Sequence, residues 1–157
     1  MKKIERKIEF YHLIKFDIES NEEFSKCDEI PTISDEVLKE KILKRIYDIS
    51  TNKFCYLDSY VKKGNNYDFI FVTGNNQTRA DLVHRRTGKV RSNPKELAEG
   101  EQEKTHVVMR FNGEDTQLII EKNKNGLNKF TFSDYFNFMN RRYFKESNIR
   151  FKLNPQV

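Results

Sequence analysis

Glycine is scarce in this chain, six in 157 residues with none clustered. That scarcity excludes two nucleotide-binding architectures, because neither a P-loop nor a GxGxxG turn is present. The only histidines, His12, His84 and His106, form no HExxH and no other two-histidine metal spacing. The only cysteines, Cys27 and Cys55, make no CxxC pair and stand among no metal-ligand spacing, so they read as reduced, buried thiols. No run approaches the roughly 20 apolar residues of a membrane span. The opening MKKIERKIEF is basic, but its charges continue where a signal peptide needs an apolar stretch. The expectation is a cytoplasmic protein with no membrane contact, no metal and no cofactor. Tryptophan is missing altogether, which excludes nothing.

What is present is aromatic and charged. Hydrophobic residues make up only 36% and mean hydropathy is −0.83, yet 13 Phe and 7 Tyr are spread along the chain. Disordered chains are poor in aromatics, and each aromatic buries a large area, so this is a folding sequence. Its length is that of one domain with one core. The net charge of +5 and a pI near 9.1 point to nucleic acid or an acidic protein as partner, modestly at this size. A homo-oligomer stays open. Asparagine is abundant, and a Lys/Asn/Ile-biased genome would produce a basic chain without any such partner.

The apolar residues Ile8, Phe10, Ile14, Phe16 and Ile18 alternate, with His12 in the same row. Period two predicts a half-buried strand with that row inward and Glu9, Tyr11, Leu13, Lys15 and Asp17 outward. Residues 19–33 are polar, contain Pro31, and read as a connector. Thr32 and Ser34 offer caps for a helix over SDEVLKEKILKRIYDIS, with Leu38, Ile42, Ile46 and Ile49 on one stripe, joined by Leu43 and Tyr47. Asp35 and Glu36 suit its N-terminus. Phe54–Val61 and Tyr67–Thr73 flank the turn KKGNN, and His106–Phe111 and Thr116–Glu121 flank NGED, which predicts two hairpins. Thr131 or Ser133 caps a last helix lined by Phe132, Phe136, Met139 and Tyr143, and Ile149–Leu153 suggests a closing strand. The sum is a single α+β domain: a mostly antiparallel sheet of about five strands with two amphipathic helices.

Residues 75–105 form a charged loop or hairpin insertion of about thirty residues, longer than compact domains ordinarily carry. Its charge is polarised. Arg79, Arg85, Arg86, Lys89, Arg91 and Lys95 face only Asp81, with His84 beside the arginine pair, and then Glu96, Glu99, Glu101 and Glu103 face only Lys104. The two halves fold back and neutralise each other, with RADLVHR and RTGKVRS as small strands, or the basic half meets phosphates, where Arg forms bidentate contacts. Arg141, Arg142, Lys145, Arg150, Lys152 and the N-terminal Lys2, Lys3, Arg6 and Lys7 are further cations, each ordinary as a solvated face or tail.

Catalytic constellations are missing. His12 and His106 fall in strands and read as structural, while His84 has Asp81 nearby but no nucleophile. A restriction-like nuclease needs an acid on one strand and an ExK pair on the next, and Asp115 with Glu121-Lys122-Asn123-Lys124 has the wrong spacing.

The order RADLVHRRTGKVRSNPKELAEGEQEKTHVV, QLIIEKNKNG, FTFSDYFNFM resembles an uncharacterised family of bacterial and phage proteins. In that family an Arg-containing loop leads through an acidic segment to a THxV strand, then a strand ending in Asn-x-x-Gly, then a helix. The corresponding residues here are Thr105, His106, Val108, Glu121, Asn123, Gly126 and Tyr135. A looser likeness runs to the N-terminal half of the phage exclusion protein RexA. The resemblance covers roughly residues 75–153 and implies a role in phage–host conflict, through DNA binding, without supplying a catalytic residue. Members tend to be longer, so the resemblance implies that this chain is a short version or an N-terminal module.

The leading expectation is a non-enzymatic module of a bacterial or phage conflict system that contacts nucleic acid through Arg79, His84, Arg85, Arg86, Lys89, Arg91 and Lys95. An alternative is a protein-interaction domain, an inhibitor or assembly subunit, working through a sheet edge or through Tyr135, Phe138 and Arg142. A third is an enzyme with an unfamiliar site near Asp81, His84 and His106.

Overall fold

The computed structural model describes residues 7–75, 82–83, 90–91, 102–123 and 125–155. In chain order the elements are β1 (Lys7–Asp17), β2 (Glu23–Phe24), α1 (Glu29–Leu38), α2 (Ile42–Arg45), β3 (Tyr47–Ser50), β4 (Lys53–Lys63), β5 (Asn66–Asn75), β6 (Leu82–Val83), β7 (Val90–Arg91), β8 (Gln102–Asn112), β9 (Asp115–Lys122), α3 (Lys129–Tyr143) and β10 (Ile149–Pro155). The main sheet is ordered β10-β1-β9-β8-β5-β4-β3, with β2 added on β1, and its pairings are all antiparallel.

The expected five strands and two helices are therefore corrected, among the described residues, to an eight-stranded sheet, a separate β6–β7 pair and three helices, with the α+β character retained. The short strands β2 and β3 account for much of the difference. Each is too brief to show a period, and each exists because a longer neighbour offers it a ladder. Both expected hairpins are present. Gly64 and Gly113 sit at φ +62° in their turns, a backbone region that costs glycine nothing. Within 75–105, Leu82 pairs with Arg91 and Val83 with Val90, and the acidic end is already strand from Gln102.

The helix expected over residues 34–49 is displaced and cut. α1 begins at Glu29, with Pro31 in the first turn, where a missing N–H is no loss. Its buried face is Ile30, Ile33, Ser34 and Val37. Ser34 is no cap: its hydroxyl donates to the Ile30 carbonyl at 2.8 Å. The Leu38–Ile42–Ile46–Ile49 stripe breaks after Leu38, leaving Leu43 83% exposed, and Tyr47 and Ile49 reach the core from a strand instead. Their spacing of two serves period two as well as a helix, and β4 supplies the partner that decides between them.

Strand β1 is where expected, but its faces are reversed. Tyr11 and Leu13 are buried, while Ile8 and Phe10 are about half exposed. Partners on paired strands share a face, and Tyr11 stands opposite Leu118, which is fully buried. The charged members of the inward row are handled individually: Lys15 bonds to Asp28 and Glu29, and Glu9 lies 3.4 Å from Lys122.

The core is one aromatic-rich cluster between the sheet and helices α1 and α3: Phe69 and Phe71 of β5 meet Phe132, Tyr135 and Phe136 of α3 edge to face. Helix α3 touches both ends of the strand order. Asn137 and Asn140 bond to Phe151 and Ile149 of β10, while Tyr135 bonds to Leu57 of β4 and packs on Tyr47 of β3. Seven flat strands span about 29 Å, and a helix with its side chains is about 10–12 Å across. The sheet therefore curls around α3, with the helices on its concave side. No helix among the described residues is long and apolar enough to cross a membrane.

Candidate nucleic-acid interface

Among the described residues no helix covers the convex face of the curled sheet. On β1 that face carries Ile8, Phe10, His12, Ile14 and Phe16, the row whose inward counterpart fills the core. Strand register extends it sideways: Phe10 stands opposite Ile119 of β9, and Ile119 opposite Val108 of β8. The result is an apolar band across three strands, with Phe10, 48% exposed, on β1 beside Ile119 at its middle. Phe16 is more sheltered. The Lys152 ammonium lies 5.5 Å from its ring centroid, and Lys152 also bonds to Glu23, which faces Phe16 across β1 and β2.

Cations border this band. Lys104 and Arg110 project from β8 on the same face as Val108, and Arg150 projects from β10 opposite Phe16. Two acids of the face are engaged, Asp68 lying 3.2 Å from Lys63 and Glu121 lying 3.4 Å from His106 Nδ1 and accepting from Asn123 Nδ2 at 3.1 Å, while Asp115 is exposed at the start of β9. Among the described residues no carboxylate is in ion-pair range of Lys104, Arg110 or Arg150. An aromatic and aliphatic platform edged by cations suits bases that stack and phosphates that follow.

The sequence-derived candidates distribute unevenly. Arg79, His84, Arg85, Arg86, Lys89 and Lys95 lie outside the described residues, as does Asp81, and of Arg91 the structure gives the backbone pairing with Leu82 alone. His106 is exposed on the convex face beside Glu121. Tyr135 cannot serve as a surface anchor: it is fully buried, donating to the Arg45 carbonyl at 2.8 Å and accepting from the Leu57 N–H at 3.1 Å. Burial pushes its hydroxyl pKa upward despite that Leu57 bond. Phe138 is half-buried against Tyr47, with the Arg142 guanidinium 4.8 Å above its ring and hydrogen-bonded to the Lys44 carbonyl. That pair is packing rather than an open platform. Among the described residues no group of three His, Cys, Asp or Glu side chains is placed to hold a metal ion.

Side chains occupy part of the backbone at both sides of the sheet. On β10, Asn137 occupies the Phe151 amide and carbonyl, and Asn140 donates to the Ile149 carbonyl at 3.2 Å. Where β4 runs past the end of β3, the Leu57 N–H is taken by Tyr135 and the Leu57 and Asp58 carbonyls by Arg45. These devices blunt the edge that an interacting strand would need.

Sequence reasoning missed the convex row because it assigned that row to the core. Its signal was present: an apolar alternation that includes two Phe and a His, opposite a row that still holds Tyr11 and Leu13. Comparison with protein-family models finds none that matches the chain, and comparison with curated proteins finds no match.

Proposed function

We propose that this chain is a binding module for single-stranded nucleic acid, reading it across the convex face of the sheet and adding phosphate contacts from the basic segment Arg79–Lys95. The observation that carries the reading is Phe10, an aromatic ring half open to solvent in an apolar band bordered by Lys104, Arg110 and Arg150. Stacking a base on such a ring contributes about 1–3 kcal/mol, and the cations beside it attract the backbone without regard to sequence. The capped stretch of β10 and the burial of Tyr135 weigh against a peptide added beside β10 or seated on that residue of α3. The likeness of residues 75–153 to bacterial and phage conflict proteins supports a setting in phage–host conflict.

Fluorescence anisotropy with labelled single-stranded DNA and RNA tests it. Phe10→Ala with Phe16→Ala weakens binding by about tenfold or more, and Arg85→Glu with Arg86→Glu abolishes it. Affinity falls linearly on a log–log plot against salt concentration. Binding that is absent, insensitive to salt, or unchanged in the double phenylalanine variant overturns the reading. A protein partner that co-purifies through nuclease treatment and is lost with Phe10→Ala assigns the same face to protein instead.

A further inference from the structure

One end of the curled sheet holds a second basic feature, on the concave side. There, a cavity of ≈ 520 Å³ opens between the start of β1, the end of β9, the start of β4 and the first turn of α3, with Lys7, Lys53, Lys122 and Lys129 in its wall beside Glu9 and Asn128. Glu9 and Glu121 are the carboxylates of the lining. Glu9 is paired with Lys122, and Glu121 is engaged with His106 and Asn123. Among the described residues, Lys7, Lys53 and Lys129 have no carboxylate in ion-pair range.

Three of these lysines are placed against local stability, in two conflicts. Lys7 and Lys122 are direct cross-strand neighbours on β1 and β9, where like charges repel. Lys129 is the first residue of a 15-residue helix that has no acid in its first turn and a neutral cap, Asn128, so a cation sits at the positive end of the dipole. Its ammonium is held 5.7 Å from the Tyr11 ring and 4.9 Å from that of Phe130, which is 68% exposed. A fold ordinarily removes such conflicts, and residues that break local rules together mark a functional place. An anion in the cavity relieves both at once.

We infer that this cavity binds a phosphate monoester, carried by a free mononucleotide or by the phosphorylated end of a strand. Ammonium groups from β1, β4, β9 and α3 converge on one dianion, the α3 N-terminus adds its dipole, and the volume is that of a small-ligand pocket. Phe130 lies outside the lining, and its exposed ring, 4.9 Å from the Lys129 ammonium, is the nearest aromatic surface offered to an attached base. The inference needs none of Phe10, Phe16, Lys104, Arg110 and Arg150 and stands apart from the reading of the convex face.

The test is titration of the full chain at constant ionic strength with inorganic phosphate, adenosine monophosphate and oligonucleotides bearing either a 5′-phosphate or a 5′-hydroxyl, read by melting temperature and by amide NMR shifts. Saturable stabilisation by phosphate or the nucleotide is expected, with shifts at Asn128–Phe130 and Lys53. Lys53→Gln weakens it by about tenfold. Lys129→Glu abolishes it while raising the melting temperature of the unliganded protein, an outcome that loss of a structural lysine would not give. Phe10→Ala with Phe16→Ala leaves it intact, so failure of the convex-face reading is distinguished. Preference for the 5′-phosphorylated strand over the 5′-hydroxyl strand assigns the strand end, and equal affinity for the two with a saturable response to the nucleotide assigns the free nucleotide. No saturable response to any of the probes, or the same response in Lys53→Gln, overturns the proposal.

Discussion

Asn137 holds Phe151 at two points: its side-chain oxygen accepts from the Phe151 N–H at 2.7 Å, and its side-chain nitrogen donates to the Phe151 carbonyl at 3.1 Å. A primary amide presents a donor and an acceptor side by side, as a neighbouring strand does. Asn137 thus stands in for the missing partner of edge strand β10, and Asn140 repeats the device at Ile149. Tyr135 does the same for Leu57 at the opposite side of the curl. One helix therefore satisfies backbone at both sides of the sheet it fills.

Asn137→Ala leaves the Phe151 N–H and carbonyl without partners in a partly buried setting. A loss of about 1–3 kcal/mol follows, read as a lower urea midpoint at unchanged slope. The freed β10 edge also becomes available to other chains, so the variant self-associates with rising concentration in sedimentation. A variant that keeps wild-type stability and remains monomeric would contradict the strand-substitute role.

The two rows of β1 respond oppositely to the same substitution. Leu13 is fully buried, and Leu13→Ala costs about 2–5 kcal/mol. Phe10 is 48% exposed, so Phe10→Ala changes stability by less than about 1 kcal/mol. Chemical denaturation of the two variants separates the observed orientation from the reverse one that hydrophobic alternation alone suggests.

That reversal shows where the sequence was legible and where it was not. Hairpins with Gly64 and Gly113 at their turns are local, and both were readable, as was α3 from its Phe132–Phe136–Met139 face. The choice between Ile8/Phe10 and Tyr11/Leu13 is not local. It depends on which face α1 and α3 cover, and both rows carry enough apolar area to be buried. Residues 47–49 fail for the same reason, since β4 converts Tyr47 and Ile49 into a strand. At the candidate interface, Phe10 was read as core, while the basic segment that was singled out lies largely outside the described residues.

Cys27 gives a pH signature. It is fully buried, its N–H donates to Thr116 Oγ1 at 2.9 Å, and burial, with the nearby Glu29 charge adding to it, pushes its thiol from 9.0 up to about 12. A raised folded value means that the native protein keeps a proton the unfolded chain releases. Stability from this group is therefore complete below pH 9 and is lost as pH climbs toward about 12, by about 1.4 kcal/mol per pH unit. Cys27→Ala should have a shallower alkaline decline than the parent when denaturant midpoints are compared between pH 9 and pH 11. At pH 8 iodoacetamide should label the native thiols slowly and the unfolded ones fast, since Cys55 is buried as well.

Gly74 tests the small cluster that Phe54, Tyr56 and Val72 form apart from the main core, with Ile46 packed on it. Gly74 stands opposite Phe54 in the β4–β5 ladder, and a Cβ at position 74 would fall on the Phe54 ring. An aromatic ring over a cross-strand glycine uses the absent side chain as its seat, and overpacking that seat costs about 1–3 kcal/mol. Gly74→Ala should lower the melting temperature accordingly. If the clash is with the ring, Phe54→Leu in the same chain recovers part of the loss, so the two substitutions are less than additive. Strict additivity would place the cost of Gly74→Ala in the backbone of β5 and not in its contact with Phe54.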